Sequence, residues 1–363
     1  MKSFPFAELL RPEIADLKAY APHEGQFDVR LDANEAPALL SEGARARLAE
    51  VAGQTAWERY PDASELELRT ALGARSGVGA ESVLVGCGSD ELLSLLVTAF
   101  DRPRLGARST TLATVTPTFV MYRMAARVRG VTAIEVPLDR SWDLDVAGFE
   151  RALAMMRPNL VLLASPNNPT GRLMSADRLE AVVRAAHDAV VVVDEAYVDY
   201  APRTQLGLLE RHSNVAVLRT LSKIGFAALR VGWLVADPAL IGELDKVRMP
   251  YNVPTPSQRV ATVALRELGS EIDHIIEVVR RERDRVTEAL ERMGGLTPTP
   301  SDANFIWVRT ESPAGEVHAR LAGNGVLVRS FHASGGRLAH QLRITIGAPA
   351  DNDRLLEVLP SCV

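Results

Sequence analysis

The chain has 363 residues and a formal net charge of −5, with 47% hydrophobic and 24% charged side chains. This composition is typical of a globular enzyme, and the length suits two domains better than a single hydrophobic core. The mild acidity argues against a dedicated nucleic-acid-binding protein, which would carry a basic patch or stripe. No apolar stretch approaches the ~20 residues of a membrane-spanning helix, and the N-terminus lacks the apolar core of a signal peptide.

The two cysteines, Cys87 and Cys362, lie far apart in the sequence. Such a pair does not form a disulfide framework, so a reducing cytoplasm is the expected location. Neither cysteine has the neighbouring ligands that a zinc site requires, so we expect no metal centre.

Between residues 82 and 235 the pattern alternates between strand and helix. The predicted elements, in chain order, are strand Ser82–Val85, helix Ser89–Phe100, strand Thr111–Val115, helix Thr118–Val128, strand Leu160–Ala164, helix Ala176–His187, and strands Ala189–Val193, Val215–Leu218 and Val231–Val235. Alternation of this kind predicts an α/β fold whose mainly parallel sheet is covered by helices on both faces.

After Pro256 the pattern changes to a long helical stretch, Ser257–Met293, followed by three short strands. These strands are Phe305–Val308, Val326–Val328 and Leu342–Ile346. The first 40 residues have few periodic elements, and we expect them to pack on the smaller domain or on a partner subunit. The sequence therefore predicts a large domain of residues 41–255 and a smaller α+β domain of residues 1–40 and 256–363.

Polar motifs follow several of these strands, where open α/β sheets place their ligands. Gly86–Glu91 follows a strand and opens a helix, an arrangement that can hold a phosphate on free N–H groups. An ordinary serine N-cap is the alternative. Ser165–Gly171 follows the next strong strand, and its two prolines and glycine hold Asn168 at the strand end.

Asp194 ends the most apolar strand, and Lys223 follows a later one. A buried carboxylate needs a cationic partner, which could be a protonated ring nitrogen or a structural ion-pair partner. A lysine at a strand end can become a nucleophilic amine, although a solvated surface charge is the usual role. Arg230, seven residues after Lys223, offers a guanidinium suited to a phosphate dianion. In this order the groups suit pyridoxal 5'-phosphate (PLP), which needs an amine, a ring-nitrogen partner and a phosphate site.

The set resembles fold type I PLP-dependent enzymes of the aspartate aminotransferase superfamily. From about Leu17 to the C-terminus the chain is similar to the histidinol-phosphate aminotransferase family. The motifs that carry this resemblance are Leu31–Pro37, Arg59–Asp62, Gly86–Glu91, Arg248–Val253 and Leu342–Gly347. The resemblance implies a large domain with a mainly parallel seven-stranded sheet and a smaller α+β domain.

The resemblance also implies roles at the cofactor ring. Lys223 would hold PLP as a Schiff base and then move the proton between the substrate and the cofactor. Asp194 would keep the ring nitrogen protonated, and Asn168 and Tyr197 would hydrogen-bond the phenolic oxygen. Phe119 would stack on the ring, with simple core packing as the alternative.

At the phosphate, the resemblance implies the backbone N–H groups of Ser89 and Asp90, the Ser222 hydroxyl and Arg230. Tyr60 would reach the phosphate from the neighbouring subunit, which implies a homodimer with two shared active sites. Many relatives separate the lysine from this arginine by eight residues, but a shorter form of the loop also occurs in the family.

For substrate binding, the resemblance implies Arg343, Arg329, Asn168 and Tyr20. Two arginines suit a phosphate dianion better than one, although surface ion pairs for the arginines and plain packing for Tyr20 are alternatives. The sequence departs from the common family pattern at Asp32, where asparagine is commoner, and at Phe331, where a polar residue is often found.

The expected reaction moves an amino group between histidinol phosphate and 2-oxoglutarate, giving imidazole-acetol phosphate and glutamate in histidine biosynthesis. An aromatic amino acid aminotransferase and a threonine-phosphate decarboxylase are alternatives on the same scaffold. A regulator that keeps the PLP fold is a further alternative. The complete set of Lys223, Asp194, Tyr197 and Asn168 argues against it, as does the lack of an appended DNA-binding domain.

Overall fold

The computed structural model describes residues 6–15, 17, 19 and 25–363. The strands, in chain order, are β1 (Val29–Leu31), β2 (Val83–Cys87), β3 (Thr111–Thr116), β4 (Thr132–Pro137), β5 (Leu160–Ala164), β6 (Val190–Asp194), β7 (Val215–Thr220), β8 (Val231–Ala236), β9 (Leu296–Thr299), β10 (Phe305–Thr310), β11 (Val326–Ser330) and β12 (Gln341–Thr345). The α-helices are α1 (Phe6–Leu9), α2 (Pro12–Ala15), α3 (Glu42–Gly53), α4 (Leu66–Ser76), α5 (Ser89–Ala99), α6 (Val120–Arg129), α7 (Val146–Met156), α8 (Ala176–Ala185), α9 (Pro238–Asp245), α10 (Thr255–Glu267), α11 (Gly269–Glu291), α12 (Ala314–Gly323) and α13 (Pro349–Val358).

Seven strands form the larger sheet, in the order β2-β8-β7-β6-β5-β3-β4. All of them run parallel except β8, which is antiparallel to both of its neighbours. The α/β class and the mainly parallel seven-stranded sheet predicted from the sequence are therefore confirmed. The six parallel strands share one carboxyl edge, and the start of β8 lies at that same edge.

Both faces of the larger sheet are buried except at the edge strand β4, which is why its inner strands are almost continuously apolar. Alternate residues of one strand face different cores. Val161 and Leu163 of β5 pack in a cluster with side chains of α7 and α8. Leu160 and Leu162 of the same strand pack in a second cluster with side chains of α5 and α6.

Five strands form the smaller sheet, in the order β1-β11-β12-β10-β9. Strand β1 pairs parallel with β11, and the other strands pair antiparallel. A cluster of fully buried side chains spans both sheets, because it contains Val217 and Val231 of the larger sheet and Ile306 and Ile344 of the smaller one. The N-terminal segment thus contributes an edge strand to the smaller sheet.

The structure adds detail to the predicted elements. The mostly helical stretch predicted from Ser257 consists of two helices, α10 and α11, with a break at Leu268, whose φ of −111° and ψ of 28° are not helical. Strands β1, β4 and β9 were not among the elements predicted from the sequence. β1 and β9 are short edge strands, and β4 is an edge strand with only one buried side chain, so none of them has a strong apolar pattern.

Candidate active site

The polar groups predicted at the strand ends converge at the carboxyl edge of the larger sheet. Asn168 follows β5, Asp194 ends β6 and Lys223 follows β7. Arg230 precedes β8, and because β8 runs antiparallel, this arginine lies at the same edge. Ser89, the first residue of α5, follows β2 at this edge too.

A cradle for an anion forms where β2 turns into α5. The backbone of Ser89 packs so closely on β8 that a Cβ atom at Gly232 would lie 2.5 Å from the Ser89 nitrogen. The N–H groups of Ser89 and Asp90 donate to no other group among the residues that the structure describes. Free N–H groups at the start of a helix are suited to bind a phosphate.

The Arg230 guanidinium completes this cradle. A Cβ atom at Gly88 would lie 2.6 Å from its Nη2 atom, so the guanidinium packs directly over this glycine. Nη1 lies 3.5 Å from the Ser222 hydroxyl and Nη2 lies 3.6 Å from a carboxylate oxygen of Asp90. The side chain is 46% exposed, so a bound anion could reach it from solvent.

Lys223 lies between the cradle and the buried end of the site. Its backbone carbonyl accepts a 2.5 Å hydrogen bond from the Tyr200 hydroxyl, which fixes the loop after β7. Its Nζ atom lies 5.7 Å from the centroid of the Tyr197 ring. The side chain is partly buried, so its amine faces the site without being sealed in the core.

Asp194 forms the buried end of the site. One carboxylate oxygen accepts a 2.7 Å hydrogen bond from the Tyr122 hydroxyl, and the other accepts a 2.9 Å bond from the Ala196 N–H. Burial raises the pKa of Asp194 to about 6, although both hydrogen bonds and the Lys223 charge act in the opposite direction. No Lys, Arg or His within the described ranges forms an ion pair with this carboxylate, so it is poised to accept a cationic group.

The Tyr197 hydroxyl accepts hydrogen bonds from two side-chain amides. The donors are Nδ2 of Asn34 at 2.9 Å and Nδ2 of Asn168 at 3.3 Å. A phenol oxygen accepts at most two hydrogen bonds and donates one. Its own proton therefore remains available to a ligand oxygen. The Tyr197 ring is held by an edge-to-face contact with Phe305, at 5.0 Å between centroids.

The smaller sheet adds two arginines, one of which contacts Asn168. Arg343 donates from Nη1 to the Asn168 side-chain oxygen at 2.7 Å and from Nη2 to the Asp32 carbonyl at 2.5 Å. Arg329 on β11 lies directly opposite Arg343 on the antiparallel strand β12. Directly opposed residues of an antiparallel pair project from the same face, and like charges placed in this way repel each other.

Other predicted residues have different surroundings. Phe119 is partly exposed and meets the Tyr122 ring edge to face, at 5.7 Å between centroids. Tyr60 is 82% exposed and stacks on Tyr251 at 4.9 Å, so in this single chain it is a surface residue. Tyr20 lies outside the described residues.

Four residues that shape the site were not among those predicted from the sequence: Asn34, Tyr122, Gly232 and Thr345. Tyr122 lies one helical turn after Phe119, and this spacing could have drawn attention to it. Asn34 lies within the Leu31–Pro37 motif, and Thr345 lies within the Leu342–Gly347 motif. Gly232 carries no local signal, because its role depends on contact with a distant segment.

These groups fit PLP. The buried Asp194 carboxylate suits the ring nitrogen, the Tyr197 hydroxyl suits the phenolic oxygen, and the cradle with Arg230 suits the phosphate. Lys223 supplies the amine between them. Among the described residues no cluster of His, Cys, Asp or Glu could hold a metal ion, and no helix is long and apolar enough to cross a membrane.

The chain is similar to known aminotransferases over most of its length. Residues 28–359 match the family model of class I and II aminotransferases. The chain is 40% identical to the histidinol-phosphate aminotransferase of Methylibium petroleiphilum, over 97% of this chain and 94% of the relative. It is 38% identical to that of Chromobacterium violaceum, over 97% of each chain.

Among solved structures, the chain is similar to the histidinol-phosphate aminotransferase of Sinorhizobium meliloti in complex with PLP. The TM-score is 0.87 at 25% identity, and the match covers 99% of this chain and 98% of that one. The chain therefore belongs to the histidinol-phosphate aminotransferases, within the class I and II aminotransferase family.

Proposed function

We propose that this chain uses PLP to move an amino group between histidinol phosphate and 2-oxoglutarate, giving imidazole-acetol phosphate and glutamate in histidine biosynthesis. The observation that carries the proposal is the directly opposed pair of Arg329 and Arg343 beside Asn168. Two opposed cations on one face of a sheet are unfavourable without an anion between them, and a phosphate dianion suits two guanidinium groups.

Histidinol phosphate has no carboxylate, so its phosphate is the anionic group available to this pair. Arg343 is 8% exposed. A charge-assisted hydrogen bond in such a partly dry setting is stronger than one at the surface. The hydrogen bond from Arg343 to Asn168 links the phosphate end of the substrate to the cofactor ring.

When bound, PLP supplies an electron sink for the negative charge that develops at the substrate carbon bearing the amino group. Lys223 acts as the base that removes the proton from that carbon. Its loop is fixed through the Tyr200 hydroxyl, so the amine has a defined position over the site.

The remaining groups hold and orient the cofactor. Asp194 holds a proton on the ring nitrogen, because a buried carboxylate is stabilised by a directly bonded cation. Tyr197 donates its hydroxyl proton to the phenolic oxygen. Ser89, Ser222 and Arg230 bind the phosphate and so fix the ring against the lysine.

The proposal is tested by measuring glutamate formation from 2-oxoglutarate with histidinol phosphate, phenylalanine or threonine phosphate as the second substrate. We expect rapid formation with histidinol phosphate and much slower formation with phenylalanine. A preference for phenylalanine would assign an aromatic amino acid aminotransferase instead. Release of carbon dioxide from threonine phosphate without glutamate would assign a decarboxylase.

We also propose a homodimer in which Tyr60 reaches the phosphate site of the partner subunit. The 82% exposure of Tyr60 supports this proposal, as does its exposed apolar neighbourhood, which includes Trp57, Met249 and Tyr251. Mixing Lys223→Ala and Tyr60→Ala subunits tests it, because some mixed dimers would contain one native site. We expect partial recovery of turnover, whereas no recovery would assign Tyr60 to its own subunit.

The division into a large domain of residues 41–255 and a smaller domain of residues 1–40 and 256–363 remains a proposal, supported by the separate strand orders of the two sheets. A cytoplasmic location also remains a proposal. It is supported by Cys87 and Cys362, which are both free thiols.

A further inference from the structure

A chain of polar side chains lies behind the phosphate cradle and touches none of the groups assigned to the cofactor. It starts at Glu91, the third residue of α5. Glu91 accepts hydrogen bonds from the Cys87 N–H and, at 2.8 Å, from the Asn252 side chain. The same Asn252 amide donates to the Val85 carbonyl of β2 at 3.3 Å. Asn252 thus joins the segment after α9 to both sides of the cradle.

Arg248 continues this chain toward the surface. It donates from Nη1 to the Asn252 oxygen at 2.8 Å and from Nη2 to the Ala63 carbonyl at 3.1 Å. Its side chain is 9% exposed, and it also pairs with Asp245 at 2.7 Å and Glu65 at 3.6 Å. The segment that contains Ala63 also carries Tyr60, whose ring stacks on Tyr251 beside Asn252.

We propose that Glu91, Asn252 and Arg248 form a positioning bridge that holds the phosphate-binding loop against the segment carrying Tyr60. The inference rests on the proposed PLP site and adds residues that touch no part of the cofactor. Cys87 directly precedes Gly88, so the Glu91 carboxylate anchors the loop on the side of the strand. This anchor leaves the N–H groups of Ser89 and Asp90 free for the anion.

Loss of this bridge should affect binding of the phosphate rather than the groups at the cofactor ring. Asp194 and Tyr197 are held by Tyr122, Asn34 and Asn168, none of which contacts the bridge. Loss of Asn252 should therefore displace the cradle and leave the ring end intact. Phosphate affinity depends on several N–H groups pointing to one place, so a small displacement weakens all of them together.

The test compares PLP with pyridoxal, which lacks the phosphate, on the full-length protein freed of cofactor. Dissociation constants are measured through quenching of tryptophan fluorescence. We expect Asn252→Ala to weaken PLP binding by about tenfold, because the variant loses its hydrogen bonds to the charged side chains of Glu91 and Arg248. Pyridoxal binding should stay close to that of the wild type, so the preference for PLP over pyridoxal should fall.

Two variants separate positioning from a general loss of stability. Asn352 is a buried asparagine that donates to Glu282 at 2.9 Å and to the Gly347 carbonyl at 3.0 Å, and it lies in the part of the chain that forms the smaller sheet. Asn352→Ala removes the same kind of contact, and it should lower the melting temperature without changing the preference for PLP. Glu91→Gln keeps one oxygen acceptor and should lose less of the preference than Asn252→Ala.

Each outcome decides the inference. An unchanged preference for PLP in Asn252→Ala and Glu91→Gln would overturn the bridge and leave the cofactor assignment intact. An equal loss of preference in Asn352→Ala would show a general effect of stability and would also overturn it. If the wild type bound neither compound, the proposed cofactor site itself would be wrong, and the inference with it.

Discussion

The two sheets contribute different chemistry to one site. The larger sheet supplies Asp194 and Lys223 at strand ends buried between helical layers. The smaller sheet supplies Arg329 and Arg343, which lie directly opposite each other on two antiparallel strands. In the proposed function, groups on the larger sheet bind the cofactor and groups on the smaller sheet bind the substrate's anionic end.

This difference separates the reaction from the choice of substrate. A change on the larger sheet should affect every amino donor equally, because each donor meets the same cofactor. A change on the smaller sheet should affect donors according to the anion that they carry. The variants below test that separation.

The largest effect is expected for Lys223→Ala. Loss of the proton-transferring amine should lower glutamate formation by about 10⁴-fold or more with every donor. Lys246, 66% exposed and paired with Glu243, provides the control, because Lys246→Ala removes an exposed lysine that is not among the residues assigned to the cofactor or the substrate. Normal turnover in Lys223→Ala would contradict the role given to this amine.

Asp194→Asn should change the pH dependence of stability in the cofactor-free protein. Burial raises the pKa of Asp194 to about 6, so its contribution to stability is full below the unfolded pKa of about 4 and is lost as the pH rises through 6. Between pH 4 and pH 7 the free energy of unfolding of the wild type should fall relative to that of Asp194→Asn by about 3 kcal/mol.

Urea unfolding at several pH values measures this difference. With PLP bound, the wild type should be more stable than Asp194→Asn. The ring nitrogen then gives the wild-type carboxylate a cationic partner, which an asparagine side chain cannot pair with. A difference that is constant with pH in the cofactor-free protein would mean that Asp194 is already ionised in the folded chain.

Arg329→Gln should sharpen the contrast between the sheets. We expect the rate of the first half-reaction, followed by the absorbance of the bound cofactor, to fall about 10- to 100-fold with histidinol phosphate, the loss of one charge-assisted contact. The rate with phenylalanine should change little. Arg309, an exposed residue on β10, provides the control for removal of a positive charge from the same sheet. Equal losses of rate with both donors would mean that Arg329 does not bind the phosphate of histidinol phosphate.

Much of the larger sheet's contribution could be predicted from the sequence. Asp194 and Lys223 follow strongly apolar strands, and the parallel arrangement brings such ends to one edge. The phosphate loop also carried a local signal in its glycines. These features depend on residues close together in sequence.

Contacts between residues far apart in sequence could not be predicted in the same way. Tyr122 reaches Asp194 from 72 positions away, and Thr345 reaches Asn34 across 311 positions. The close approach at Gly232 depends on β8 running against its neighbours. Such contacts follow from the three-dimensional arrangement of strands, which periodicity alone does not give.

The smallest effect is expected at Asn34, which ties the two sheets together. Its N–H donates to the Thr345 hydroxyl at 3.0 Å, and its side chain donates to the Tyr197 hydroxyl at 2.9 Å. Asn34→Ala should reduce kcat by about tenfold, because it removes one buried hydrogen bond to Tyr197, a neighbour of the reacting amine. If Asn34 acts by orienting the Tyr197 hydroxyl, the same substitution should have little further effect in a Tyr197→Phe background, because the acceptor is already gone. Losses that multiply in the double variant would instead mean that Asn34 acts through Thr345 and the position of the smaller sheet.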